Sequence, residues 1–302
     1  MMTDDSNPLN TARLTDRLPR RPYGPDGVEL SIIGFGGLVV KDYPHDRAAR
    51  VVAEAVEMGV NYFDVAPTYG NAEEILGPAL QPWREKAFLA CKTTQRRRGP
   101  AEEEFRQSLK NLRTDRFELY QLHSLTDVAE DVDVAFASGG VMEMVAEAKA
   151  AGAIRHVGFS AHTEEAALDR YPFDSVLFPL NFACWHGGGF GPRVVERARQ
   201  SGATLLALKA MAREPWGESP DPAEKHRFAN TWYRPITDPA EACRAVRFTL
   251  SLPIAAMVPP ASEELWRLAV ECGLRYRPLS EEQARAVKDW ALQFQPVFPL
   301  RH

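Results

Sequence analysis

Residues 58–65 read MGVNYFDV, in which a helical pattern ends at a glycine and an apolar, strand-like run follows almost at once. The same order returns at residues 151–160, AGAIRHVGFS, and at residues 201–209, SGATLLALK. A glycine just past the last helical residue is typical of a helix C-terminus, and the apolar runs are typical of strands. The repetition therefore predicts an α/β chain in which helices alternate with parallel strands.

Eight apolar, strand-like runs follow one another along the chain, with helical patterns between them. They lie at residues 32–36, 60–65, 86–91, 116–123, 153–160, 174–181, 203–209 and 254–259. Eight such units in about 280 residues fit a closed (β/α)8 TIM barrel. The alternative is an open, doubly wound sheet, which usually begins with a G-x-G-x-x-G turn. The segment GFGGLVV at residues 34–40 does not match that turn, so we predict the closed barrel.

The two ends of the barrel sequence carry additional elements. Residues 21–36 read RPYGPDGVELSIIGFG, in which a Pro-Asp-Gly turn predicts an N-terminal β-hairpin. Residues 280–294, SEEQARAVKDWALQF, begin with a capping-box pattern and predict an extra C-terminal helix. We also expect a short helix near residues 163–170.

The polar first residues are unlike the rest of the chain. We expect residues 1–20 to form a flexible tail and residues 21–302 to form a single domain. The tail has no apolar core of the kind that a secretory signal needs, and the chain contains no run of 18 apolar residues. A cytoplasmic location and no interaction with a membrane are therefore the expectation.

Composition argues against nucleic acid as a partner and for reduced cysteines. The formal charge is −5, from 36 basic and 41 acidic residues, so the chain has no strongly basic surface for nucleic acid. Its four cysteines, which are widely spaced and include no C-x-x-C pair, are expected to be reduced thiols. They are Cys91, Cys184, Cys243 and Cys272.

Three consecutive strand-like runs end on ionisable side chains. Asp64 ends the second run, Lys92 the third and His123 the fourth, at separations of 28 and 31 residues. Each separation is close to one βα repeat, so the three side chains are expected at the same end of neighbouring strands. Active sites of TIM barrels lie at that end. Tyr69, in the loop after the second run, can fold over them.

Each of these residues alone has an ordinary structural explanation, such as a helix cap or a solvated lysine. Together they suit the transfer of a proton to a carbonyl oxygen, or from an alcohol. A tyrosine has a pKa of about 10, and a nearby ammonium group lowers it. Asp64 would hold Lys92 in place, and His123 would donate a hydrogen bond to the substrate oxygen. A metal site fits less well, because Lys92 would add positive charge.

The segments FDVAPTYGNAEEILG, KAFLACKT and FELYQLHS resemble the three active-site motifs of the aldo-keto reductases. The hairpin segment and residues 139–160 are similar to the same family, and the likeness covers roughly residues 21–275. The resemblance implies Tyr69 as general acid, with Lys92 and Asp64 tuning it and His123 orienting the carbonyl. It also implies NADP(H) as hydride donor, with NAD(H) as the alternative, and a small carbonyl compound as substrate.

The cofactor-binding pattern of the family is only partly kept. The resemblance assigns Gly36 and Gly37, after the first strand, to the cofactor site. The family's Ser-Asn after the fifth strand is Ser160-Ala161 here. The glutamine expected on the sixth strand is absent, and Asn181 is the nearest polar residue. The aromatic residue expected after the seventh strand is replaced by Leu208 and Lys209, and Lys209 is interpreted as a ligand of the pyrophosphate or as a solvated lysine.

The adenosine end of the cofactor is expected after the eighth strand, at VPPASEELWRLAVE. Ser262 opens the helix there, where backbone N–H groups favour phosphate. Arg267 is taken as the one nearby cation for a 2′-phosphate, with a surface role as the alternative. Trp185, His186 and Trp216 are candidates for the lining of the substrate pocket or for loop packing.

Three functions are therefore open from the sequence. The first is an oxidoreductase that reduces an aldehyde or ketone, or runs the reverse reaction, with a nicotinamide cofactor. The second is a non-enzymatic nucleotide sensor or regulatory subunit on the same barrel, which the altered cofactor positions would suit. The third is a metal-dependent hydrolase.

Overall fold

The structure is a computed structural model that describes residues 16–163 and 173–298. Its strands, in chain order, are β1 (Arg20–Tyr23), β2 (Val28–Ser31), β3 (Phe35–Gly36), β4 (Tyr62–Asp64), β5 (Phe88–Thr93), β6 (Phe117–Leu125), β7 (Ile154–Ala161), β8 (Ser175–Pro179), β9 (Thr204–Leu208), β10 (Ala212–Pro215), β11 (Tyr233–Pro235) and β12 (Ala256–Val258).

Helices surround the sheet. They are α1 (His45–Glu57), α2 (Ala72–Leu80), α3 (Arg98–Asn111), α4 (Val134–Phe136), α5 (Val141–Ala150), α6 (Phe182–His186), α7 (Pro192–Ser201), α8 (Pro222–Arg227), α9 (Pro239–Leu250), α10 (Glu263–Leu274) and α11 (Glu281–Ala291). The helix expected near residues 163–170 falls, except for its first residue, outside the described residues. Within the described ranges, none of the helices has the length and apolar character of a membrane span.

Eight parallel strands close into a barrel. Their order is β3-β4-β5-β6-β7-β8-β9-β12, so neighbours in sequence are neighbours in the sheet. The first and last strands meet through a parallel bridge between Ile33 and Met257, and the N–H of Gly34 donates to the Met257 carbonyl over 2.8 Å. The predicted (β/α)8 barrel is confirmed, and the open doubly wound sheet is wrong.

The glycines of the recurring motif have one conformation in common. Gly59, Gly152 and Gly202 have φ angles of 94°, 80° and 75°, and each lies within two residues of a helix end. These left-handed values are available to glycine at little cost and reverse the chain at a helix C-terminus. The motif therefore marks the points where a helix of the outer layer turns into the next barrel strand.

The N-terminal hairpin, also confirmed, covers the end of the barrel where the strands begin. The Tyr23 hydroxyl donates to Ser175 Oγ over 2.9 Å, and its ring centroid lies 4.8 Å from that of Phe88. Because Ser175 and Phe88 are the first residues of β8 and β5, the opposite end of the barrel is left open for ligands. Leu18, inside the expected tail, is buried and its N–H bonds to the Met58 carbonyl; the domain boundary at residue 20 stays a prediction.

The C-terminal helix α11 is present and begins at the expected capping box. The Ser280 hydroxyl accepts from the N–H of Gln283, and the Gln283 side chain accepts from the N–H of Ser280. Trp290 of α11 stacks on Phe182 with ring centroids 4.2 Å apart. This contact joins α11 to α6, the helix that follows β8.

The expectation that all four cysteines are reduced is wrong. Cys243 of α9 and Cys272 of α10 form a disulfide, with Cα atoms 5.0 Å apart, while Cys91 and Cys184 are buried free thiols. The pairing arises because α9 and α10 pack side by side. Their 29-residue separation in sequence gives no sign of that contact.

Candidate active site

The four rim residues surround one cavity at the C-terminal ends of the strands. Asp64 ends β4, Lys92 is the fifth residue of β5, His123 lies near the end of β6, and Tyr69 lies in the turn between β4 and α2. All four line a cavity of about 250 Å³. Regular spacing of βα repeats thus brings together side chains that are up to 59 residues apart in sequence.

Lys92 and Asp64 form a buried ion pair in the floor of this cavity. Their side chains are 1% and 4% exposed, and Lys92 Nζ donates to Asp64 Oδ1. The second oxygen of Asp64 accepts from the Tyr62 hydroxyl and from Gln121 Nε2, both over 3.2 Å. The Lys92 ammonium also donates to the Val65 carbonyl over 3.2 Å. Both charges therefore have fixed partners, as buried ions require.

The electrostatics of the pair keep Lys92 charged. Burial acts to lower the pKa of Lys92, but the negative charge of Asp64, with a further contribution from Tyr69, outweighs it and raises the pKa above its ordinary value. The ammonium nitrogen lies 5.3 Å from the centroid of the Tyr69 ring. A permanent positive charge therefore sits beside the phenol.

The phenol of Tyr69 keeps its proton at neutral pH. Burial is the largest influence and raises its pKa, Lys92 lowers it and Asp64 raises it, with a net increase above the ordinary value. Lys92 thus lowers this pKa as expected, but not enough to bring it below its ordinary value. The lysine acts in that direction, but exclusion of water disfavours the phenolate more strongly.

His123 is a neutral imidazole at the edge of the same cavity. Its ring is nearly perpendicular to the Tyr69 ring, with centroids 5.8 Å apart. Burial, followed by the positive charge of Lys92, lowers its pKa to about 3. Its Nδ1 atom is buried and has no hydrogen-bond partner among the described residues, so the ring keeps a polar atom free.

Lys209, which follows β9, lies on the opposite wall. Its ammonium is 5.4 Å from the centroid of Trp232 and 5.2 Å from that of Tyr233. The two aromatic residues lie at the start of β11, which pairs with β10 above the barrel rim. Gly36 and Ser160 line the same cavity, and the Ser160 hydroxyl accepts from the N–H of Ser124 over 2.8 Å.

Two residues that the sequence assigned to the cofactor are engaged elsewhere. Asn181 is fully buried: its Oδ1 caps α6 by accepting from the N–H of Cys184, and its Nδ2 donates to the Lys209 carbonyl over 3.1 Å. Gly37 packs on Val65, where an added Cβ would lie 2.7 Å from the Val65 side chain. Both residues therefore pack behind the side chains that line the cavity and help to hold them in place.

Ser262 and Arg267 lie in a second groove of about 530 Å³. Asn230 and Ala261 line both the groove and the catalytic cavity, so the two spaces adjoin. A ligand longer than the cavity therefore has a continuous surface along which to extend.

The groove contains more cations than the sequence indicated. Arg267 pairs with Glu54 and, over 3.0 Å, with Glu263, and Arg47 pairs with Glu263 over 2.9 Å. Arg227 pairs with Glu264 over 2.6 Å at the same groove. The expectation that Arg267 is the one nearby cation is wrong, because helices α1 and α8 bring further arginines beside α10.

The sequence analysis missed several residues of the site. Tyr62 and Gln121 lie two positions before Asp64 and His123 on the same strands, so the period-two alternation of a strand could have identified them. His162 also lines the cavity, two residues after Ser160. No pattern in the sequence indicated that Trp232 and Tyr233 would line the cavity.

The other aromatic candidates contact neighbouring parts of the protein. The Trp216 indole donates to the Thr231 carbonyl over 3.1 Å. Trp185 and His186 lie against Phe248, with ring centroids 6.2 and 5.3 Å away. These contacts agree with the packing alternative, with Trp185 and His186 in the short helix α6 and not in a loop.

Comparison with known proteins agrees with the barrel fold. Residues 32–178 match the model of the "Aldo/keto reductase family". An uncharacterised oxidoreductase of Bacillus subtilis, YqkF, is 31% identical over 47% of this chain and 48% of its own length. The Bacillus subtilis aldo-keto reductase YhdN is 30% identical over 51% of both chains. The chain therefore spans about half the length of these curated relatives.

A solved structure extends the likeness over most of the barrel. A putative aldo-keto reductase from Pseudomonas aeruginosa is 25% identical, with a TM-score of 0.67, and the match covers 87% of this chain and 96% of that one. The matched segment of residues 32–178 contains Asp64, Tyr69, Lys92 and His123. Over residues 32–178 this chain is therefore similar in sequence to the aldo/keto reductase family, and its barrel shares the fold of a putative aldo-keto reductase.

Proposed function

We propose that this protein is an oxidoreductase that reduces an aldehyde or ketone to an alcohol, or catalyses the reverse, with NADP(H). The observation that carries the proposal is the grouping of a protonated phenol, a charged lysine and a neutral imidazole around one cavity. The similarity of residues 32–178 to the aldo/keto reductase family supports the same reaction class.

In this proposal the chain's residues handle the proton. The hydroxyl of Tyr69 donates its proton to the carbonyl oxygen as negative charge develops there. Lys92 stabilises the phenolate that remains, and Asp64 keeps Lys92 charged and in place. His123, neutral because its pKa is about 3, orients the carbonyl oxygen without competing as an acid. Such proton transfer typically contributes about 10²–10⁴ in rate.

The residues present fit a nicotinamide dinucleotide. The unpaired buried Nδ1 of His123 belongs to the cavity, and an arginine-lined groove adjoins it. Gly36 and Ser160 would hold the nicotinamide end, and Ser262 and Arg267 the adenosine end. When bound, the reduced nicotinamide supplies the hydride that the carbonyl carbon accepts.

The sharpest test of the reaction is Tyr69→Phe. We expect kcat for carbonyl reduction to fall at least 100-fold, with NADPH affinity and melting temperature retained. Tyr276→Phe is the matched control, since its hydroxyl bonds to the Leu250 carbonyl in a helix-packing contact. Unchanged turnover in Tyr69→Phe would remove the proposed acid. NADPH binding by the native protein without turnover of any aldehyde or ketone would favour the sensor function.

A preference for NADPH over NADH is tested by replacing Arg267. A charged hydrogen bond is worth about 1.5–3 kcal/mol, so Arg267→Met should weaken NADPH binding about tenfold or more and NADH binding less. Arg199→Met removes an exposed, ion-paired arginine of α7 as the control. Equal losses for both nucleotides would contradict the role of Arg267 in recognising a 2′-phosphate.

A further inference from the structure

Lys209 occupies an unusual position for a lysine. It is partly buried in the wall of the catalytic cavity, beside the rings of Trp232 and Tyr233. Its ammonium is held in a space that it shares with Tyr69 and His123. Any anion that meets Lys209 there would lie in the same small cavity as the reacting carbonyl.

The charge of Lys209 has no carboxylate partner in the part of the chain that the structure describes. In residues 16–163 and 173–298, no carboxylate lies within ion-pair distance of its ammonium. The other lysines and arginines that line the cavity and the groove have carboxylate partners; they are Lys41, Lys92, Arg47, Arg227 and Arg267. Burial, followed by the charge of Lys92, lowers the pKa of Lys209 to about 8. At neutral pH the group is still mostly charged and lacks an anion.

The backbone fixes Lys209 in this position at an energetic cost. Its φ angle is 67°, in the left-handed region that a residue with a side chain rarely adopts. The Lys209 carbonyl accepts from Asn181 Nδ2 over 3.1 Å and from the N–H of Ala212 over 2.8 Å. These two hydrogen bonds hold Lys209 in its strained conformation beside the cavity.

We propose that Lys209 binds an anionic group of the substrate, so that the substrate is a small aldehyde or ketone that also carries a carboxylate. This rests on the proposed carbonyl reduction. The carbonyl oxygen would meet Tyr69 and His123 while the carboxylate meets Lys209 across the cavity. The sequence assigned Lys209 to the cofactor pyrophosphate; its place in the catalytic cavity, apart from the arginine groove, favours the substrate instead.

Two probes that differ by one carboxylate test this proposal. 4-Oxobutanoate and butanal have the same chain length, and the ratio of their kcat/KM values measures selectivity for the anion. We expect the native protein to favour 4-oxobutanoate, and Lys209→Met to reduce the ratio by about 10- to 100-fold, as loss of a charged hydrogen bond implies. Lys209→Arg should restore part of it. Lys225→Met, which removes an exposed cation of the nearby helix α8, should leave the ratio within about twofold of the native value.

A binding measurement separates this inference from the reaction itself. Calorimetry with butanedioate, which cannot be reduced at a carbonyl, should show binding to the native protein and a loss of at least tenfold in Lys209→Met. If the native protein reduces neither probe but binds butanedioate through Lys209, the proposed reaction fails and the anion site stands. If Lys209→Met instead weakens NADPH binding and lowers kcat/KM for both probes equally, the anion at Lys209 belongs to the cofactor and the proposal is overturned.

Discussion

Lys92 and Asp64, on the neighbouring strands β5 and β4, form an ion pair from which solvent is almost completely excluded. The Tyr62 hydroxyl and the Gln121 amide complete the hydrogen bonds of the carboxylate. A pair of this kind is costly to break from one side, because the remaining charge is left buried without its partner. The pair is thus a structural element as well as a part of the site.

A double-mutant cycle measures that coupling. Lys92→Met and Asp64→Asn should each lower the free energy of unfolding by about 3–5 kcal/mol. The double variant should lose less than the sum, because it leaves neither charge alone. Urea unfolding of the four proteins at pH 7 provides the values. Strictly additive losses would mean that the two groups do not stabilise each other.

The protonation state of His123 can be followed directly. Because burial and Lys92 lower its pKa to about 3, its ring resonances should not titrate between pH 5 and 8. NMR of the imidazole carbon-bound protons, assigned with His123→Gln, gives the measurement. Since the unfolded chain binds this proton near pH 6.5 and the folded protein does not, His123 should also reduce stability as pH falls below that value. A midpoint near 6.5 in the folded protein would contradict the neutral role.

Asp174 should make stability depend on pH in the acidic range. Burial acts to raise its pKa, but the His156 ring, whose Nδ1 lies 3.9 Å from Asp174 Oδ1, and hydrogen bonds from the Val157 N–H and Lys149 lower it to about 2. A depressed carboxyl pKa adds stability above the unfolded value near 4, and that contribution disappears as pH falls towards 2. Asp174→Asn should therefore cost about 1–2 kcal/mol at pH 7, discounted for its 26% exposed side chain.

Measurement at two pH values provides the control for the Asp174 prediction. The difference in unfolding free energy between the native protein and Asp174→Asn should shrink from pH 7 to pH 2.5. Denaturant titrations at both values suffice. A gap of the same size at both values would show that the asparagine disturbs packing instead of removing a charge interaction.

The disulfide between Cys243 and Cys272 joins α9 to α10. A cross-link over a separation of this length typically stabilises a protein by about 2–4 kcal/mol. We expect Cys243→Ala/Cys272→Ala to lose about that much in urea unfolding, and dithiothreitol to destabilise the native protein but not the variant. Thiol titration of the unfolded, unreduced protein should find two free thiols. Four would show that the bond does not form.

The sequence alone determined the barrel fold and which ionisable residues lie together at one end of its strands. Helical patterns that end at left-handed glycines before apolar runs, as at Gly59 and Gly202, are local features that the backbone must satisfy wherever the chain folds. The eightfold count and the spacing of Asp64, Lys92 and His123 then place three side chains at one end of adjacent strands. These conclusions depend only on short-range geometry and on the regular length of a βα unit.

Tertiary structure decided what those residues experience. The pKa of Tyr69 results from burial opposed by Lys92, and both depend on distances and solvent exclusion that no local pattern contains. The pairing of Cys243 with Cys272, the engagement of Asn181 and the aromatic wall beside Lys209 likewise depend on which distant elements pack together. Packing sets the local dielectric environment and the available partners, so the same side chain becomes an acid, a cap or an anion site according to its neighbours.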